Sequence, residues 1–289
     1  MAKVYTEEMY EREGSPVNLI IPDGFTEIGE SAFEGCEWLE SVIIPESVTR
    51  IGNSAFYDCT SLRSVSIPSS VTAIEDWAFY NCNLLQEINI PENLTIIGAG
   101  AFSECCSLQE LAIPESVTKI GGSAFAGCSI LNAISLPNGL TEIDDCTFAG
   151  CWFLKSITIP ESVTKIGIGT FNGCIRLQDI KIPNSVKEIG ERAFEGCCAL
   201  ERVSLSASMT TINFATFSGC SALKTITVPD SVVKIGACAF ENCTSLTGVT
   251  LLSPDIRLSP SAFKDCSALE TYTYITIMEG EKITVTLPV

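Results

Sequence analysis

A repeat solenoid of eleven β-rich coils, 23 residues each, is the fold this sequence predicts, and three residue columns predict it. Phe33, Phe56, Phe79, Phe102, Phe125, Phe148, Phe171, Phe194, Phe217, Phe240 and Phe263 stand 23 residues apart without one insertion or deletion. A cysteine follows each phenylalanine by three residues, from Cys36 to Cys266, and a leucine follows by six, from Leu39 to Leu269. A fixed period in this range marks a supersecondary unit that stacks on its neighbours.

The elements follow in chain order. VNLIIPDG, Val17 to Gly24, is half a unit without its phenylalanine, so residues 1–24 form an N-terminal cap and half repeat. Residues 25–274 carry the solenoid. Within a unit, Leu-x-x-Val-x-Ile-Pro alternates apolar and polar positions, the period of a strand. Proline then ends it, because proline cannot donate to a ladder. Val-Thr-x-Ile-Gly is a shorter β-type run whose glycine is expected to turn the chain. Ala-Phe-x-x-Cys is expected to form a short helical or 3₁₀ turn, with Phe and Cys on one face. The residue before each phenylalanine is Ala or Thr, small enough for neighbouring coils to approach closely.

Late units depart from the pattern. Ser206 and Leu252 replace the proline, and Met209 replaces a valine. ITIMEGEKITVTLPV then holds two alternating runs around Glu279-Gly280, read as a β-hairpin cap over residues 275–289.

The run LRSVSIPSSVTAIEDWAFYNC, Leu62 to Cys82, resembles the BspA-like, treponemal-type subclass of the leucine-rich repeat family, and the resemblance covers roughly Leu19 to Tyr274. It implies a right-handed superhelix with a parallel β-sheet on its concave face. It also implies a bacterial or protist protein, often displayed on the surface as an adhesin.

Composition narrows the function. With 35 Asp plus Glu against 17 Lys plus Arg, the net charge is −18, which disfavours phosphate backbones and anionic lipid and favours a basic partner. No apolar run reaches the ~18–20 residues of a membrane-spanning helix. MAKVYTEEMYEREG lacks the apolar core of a secretory signal, which suits a cytosolic protein or a mature fragment.

Histidine is absent, so Ser-His-Asp and Cys-His constellations are excluded. The fifteen cysteines include no C-x-x-C, and one thiol per coil aims sulfurs alongside rather than at each other. Each column cysteine therefore reads as a small buried hydrophobe, with no metal, cofactor or disulfide series expected. GIGTFNG, Gly167 to Gly173, falls in register with the repeat and is structural rather than a phosphate loop.

Two features break their columns. Trp38 and Phe153 occupy a position otherwise filled mostly by smaller residues, with Trp152 beside the latter. They are candidate interface anchors, or else pack under a neighbouring loop. The outward strand positions are mostly small and hydroxylated, either to relieve crowding or for recognition. Charge enters there at Asp179, Lys181 and Arg202. These six residues are the candidate partner-binding set. The reading is a non-enzymatic protein-binding scaffold, adhesin-like and surface-displayed or secreted, binding a basic or host matrix protein. An intracellular interaction scaffold is the alternative, and a carbohydrate-active or cation-dependent enzyme the rival from another class.

Overall fold

The computed structural model describes residues 3–253, 255–278 and 281–288. The chain is a parallel β-solenoid of about eleven 23-residue coils, with one short helix among the described residues, Glu7–Arg12. Packing divides it into two compact units, Met1–Leu140 with Thr147–Trp152, and Thr141–Cys146 with Phe153–Val289.

In the first unit, two-residue strands form a six-stranded parallel sheet: Val4–Tyr5, Glu27–Ile28, Arg50–Ile51, Ala73–Ile74, Ile96–Ile97 and Lys119–Ile120. All but Val4–Tyr5, which belongs to the N-terminal cap, lie in the Thr-x-Ile part of the repeat. The strands after the leucine column, Asn18–Ile20, Ser41–Ile43, Ser64–Ser66 and Glu87–Ile88, make a second, four-stranded sheet. Partners are one period apart, as in Val42 with Val65. This ladder restarts as a separate pair, Glu110–Ala112 with Ala133–Ser135. Where it halts, the Asn89 amide stands in for backbone: its Oδ1 accepts from Ile67 N–H and its Nδ2 donates to Ile67 C=O.

The second unit repeats both ladders in shorter pieces. Asp179–Lys181 pairs with Arg202–Ser204, and Thr225–Val228 with Gly248–Leu251. Thr271–Met278 continues that sheet and pairs antiparallel with Glu281–Pro288. The expected turn residues Glu279 and Gly280 lie outside the described residues, as do the side chains of Tyr272 and Tyr274.

The Phe column is the spine of each core. In the first unit the rings from Phe33 to Phe148 stack with centroids 4.8 to 5.7 Å apart and planes within 9°. In the second, Phe171 to Phe263 stack at 5.2 to 5.4 Å. Offset stacking of this kind adds about 0.5–1.5 kcal/mol per pair beyond burial. At the N-terminal end Tyr5 stacks on Phe33 at 5.6 Å and Tyr10 meets it edge-on at 5.2 Å, so both tyrosines are buried against the first ring.

The turn around each phenylalanine is built differently from the sequence expectation. Residues two before and two after the ring adopt the left-handed backbone: Ser31 (φ 53°) and Gly35 (φ 70°), then Ser54 (φ 53°) and Asp58 (φ 59°), and onward. This alternation sends every second N–H to the next coil. Ser31, Phe33 and Gly35 donate to the carbonyls of Asn53, Ala55 and Tyr57 at 2.8 to 2.9 Å. The N–H groups between them close i→i+3 turns, as in Glu34 to Ser31. The recurrent glycine of Val-Thr-x-Ile-Gly does not turn the chain. Gly52 has no left-handed φ, and a Cβ there would meet Ile28 O at 2.8 Å. It is small because coils touch.

Candidate functional site

All fifteen cysteines are reduced, and the eleven of the column are buried. They are more than filler. Cys59, Cys82, Cys105, Cys128 and Cys151 donate their S–H to the carbonyls of Phe33, Phe56, Phe79, Phe102 and Phe125 in the preceding coil, at 3.0 to 3.2 Å. Cys197, Cys220, Cys243 and Cys266 repeat the contact in the second unit at 2.9 to 3.3 Å. Burial raises the Cys105, Cys128 and Cys197 thiols well above the ordinary range, so they are poor nucleophiles. Among the described residues no group of three His, Cys, Asp or Glu converges as a metal site, and no helix is long and apolar enough to cross a membrane. What remains to do chemistry is the surface.

Asp179, Lys181 and Arg202 lie on one strand pair of the second unit, with Asp179 directly opposite Arg202. The Arg202 Nε lies 2.7 Å from Asp179 Oδ1, so this ion pair neutralises itself across the sheet. Lys181 is most exposed and reaches Glu161 only at 3.7 Å. The charges thus have a structural partner that the sequence reading did not assign them. Beside them Arg202, Ser204, Thr225, Thr227, Pro229 and Leu252 line a depression of about 580 Å³. Hydroxyls, the Arg202 guanidinium and the Asp230 carboxylate are the polar side chains that line it. Such a surface can bind and orient a partner.

The column-breaking aromatics are exposed rather than tucked under loops: Trp38 56%, Trp152 52% and Phe153 37%. Trp38 and Trp152 belong to the first unit; Phe153 opens the long segment of the second, where the Arg176 guanidinium lies 4.0 Å over its ring. Asp179 and Arg202 are therefore brought together, and Phe153 gains a cation partner. Trp38 has no other member of the candidate set beside it in its column.

Sequence reasoning missed Trp77, which is 41% exposed. It sits in the column two before the phenylalanine, where Ser, Gly, Cys, Arg and Ala also occur, so nothing marked it as out of place. Its signal was chemical: a bulky side chain in a column that also accepts glycine.

The chain matches the model of the BspA type leucine rich repeat region in six copies, over residues 6–132, 95–220 and 141–270. No curated protein sequence matches it. Among solved structures it resembles a leucine rich cell surface protein of Faecalibacterium prausnitzii at 28% identity, covering 90% of this chain and 88% of that one, with TM-score 0.53. A leucine-rich repeat protein of Eubacterium ventriosum aligns at 26% identity over 94% of this chain and 81% of that one, with TM-score 0.59. The T. pallidum leucine rich repeat protein is 37% identical over 57% of this chain and 79% of its own, with TM-score 0.54.

Proposed function

The chain belongs to the BspA-type leucine-rich repeat family, and from that premise we propose that it is a non-enzymatic protein-binding scaffold, surface-displayed or secreted, that docks a protein partner in adhesin fashion. The observation that carries the reading is the hydroxyl-lined strand face of the second unit, with its depression at Arg202 and the exposed Lys181 beside it. It is a ready-made polar platform on a rigid ladder, and interfaces gain precision when their groups sit on rigid elements. The 28% identical relative is described as a cell surface protein, which supports the location. Phe153, exposed and in the same unit, supplies an aromatic anchor of the kind that dominates binding energy.

An intracellular scaffold is the second reading, favoured by fifteen reduced thiols. Protease treatment of intact cells separates the two, since a displayed chain is cleaved and an internal one is protected. The docking site is tested with the purified chain immobilised against extracellular matrix proteins and host cell surfaces. Wild type is compared with Lys181→Ala/Arg202→Ala and with Trp152→Ala. Binding that survives all these substitutions removes the site assignment.

A further inference from the structure

The first unit carries an aromatic cluster that the strand face does not include. Trp77 meets Tyr80 edge-on, centroids 5.4 Å apart at 74°, and Tyr80 stacks on Tyr57 of the preceding coil at 4.6 Å. Trp77 is left-handed at φ 59°, a conformation costly for a bulky side chain, and its indole lies flat against Gly100, the glycine at the same position of the next coil. A core purpose does not explain this ring, because it is 41% exposed while the phenylalanine spine beneath it is complete.

The cluster is set in negative charge. Burial first, then Asp58, Tyr80 and Glu34, raise the Tyr57 hydroxyl pKa above its ordinary value, so both carboxylates are felt at this ring. Asp76 precedes Trp77 in sequence, and residues 1–140 hold nineteen acids against five bases, where residues 141–289 hold sixteen against twelve. The acidity of the chain is thus concentrated in the unit that carries the cluster.

Resting on the protein-binding reading above, we infer that Trp77, Tyr80 and Tyr57 form a docking patch for an arginine- or lysine-rich segment of a partner protein. Guanidinium and ammonium groups bind aromatic faces, best of all Trp. The surrounding carboxylates complement the remaining charge and steer approach. A neutral or acidic partner would gain the rings but meet Asp58, Glu34 and Asp76 as repulsion or buried unpaired charge.

The test is a titration of the full chain with an alternating Arg–Gly peptide, read by tryptophan fluorescence and by calorimetry, at physiological ionic strength where charges are screened beyond about 8 Å. An alternating Glu–Gly peptide is the control. Trp77→Asn keeps a residue suited to the left-handed backbone, and Tyr80→Ser shortens the stack. The expected result is peptide binding weakened about tenfold or more by each change, a difference on the order of 1.4 kcal/mol, with the melting temperature of Trp77→Asn undiminished. Wild-type indifference to the Arg–Gly peptide, or wild-type affinity retained in both Trp77→Asn and Tyr80→Ser, overturns the inference. Either result leaves the strand-face scaffold standing, because that reading is tested at Lys181, Arg202 and Trp152.

Discussion

The Cys128 Sγ donates to the Phe102 carbonyl oxygen at 3.1 Å, and that same oxygen accepts from the Cys105 N–H at 3.2 Å. One carbonyl is thereby tied to its own turn and to the next coil. The thiol fits because it is small, tolerates burial and still carries a weak donor. Cys128→Ala removes the inter-coil half of this contact and leaves a small void, so it should cost about 1–2 kcal/mol. Urea unfolding of the variant measures it; an unchanged midpoint would mean the rung contributes nothing.

Thiol accessibility separates the column from the rest. Cys198 is exposed, Cys106, Cys146 and Cys238 are half-buried, and the column is closed to solvent. Native protein should label first at Cys198, then at the three half-buried sites. The eleven column thiols should react only on unfolding, as followed by mass spectrometry. Rapid native labelling of most of the column would contradict the packing.

Burial, with the neighbouring Cys59, Glu7 and Glu11, pushes the Cys36 thiol from its ordinary 9.0 up to about 12. The folded chain therefore keeps this proton at a pH where the unfolded chain has released it. Its contribution is fully present below about pH 9 and is lost as pH rises toward 12. The urea midpoint should fall across that window, and Cys36→Ser should flatten the fall. An identical slope in the variant would sink the assignment.

Phe125 is fully buried between two stacked neighbours, while Phe263 is 8% exposed and stacks on Phe240. Phe125→Ala should cost about 3–5 kcal/mol through the cavity it opens. Phe263→Ala should cost less, because an end coil frays locally. Equal losses in denaturant unfolding would contradict nearest-neighbour stacking.

Much of this was legible in the sequence, because a 23-residue period without indels assigns every buried column at once. What the period could not reveal was backbone direction. The residues at Ser31, Ser54, Trp77 and Cys146 share no side-chain chemistry; they share a left-handed φ that aims N–H groups at the next coil. A column defined by backbone conformation and open to solvent looks random, and Trp77 was lost in it. The cysteine column was read as apolar because its donor bonds to main chain, which leaves no trace in residue identity. Asp179 and Arg202 stand one period apart in the outward strand positions, and residue identity alone does not show that they cancel each other at 2.7 Å.

That pairing sets the sign of the functional test. Arg202 covers the Asp179 carboxylate, so Arg202→Ala uncovers a negative charge on the strand face, while Asp179→Asn leaves the guanidinium unpaired beside the depression. A basic partner, which the net charge of −18 favours, should bind Arg202→Ala more tightly and Asp179→Asn more weakly. An acidic partner should show the reverse, with Lys181→Ala costing it further affinity. Each change should be at least about twofold and should shrink as salt is raised, because the groups are exposed and screened. Surface-plasmon titration of the four proteins against one partner at two ionic strengths reads both sign and salt dependence. Affinities within about twofold of wild type in every variant would place the docking site elsewhere on the chain.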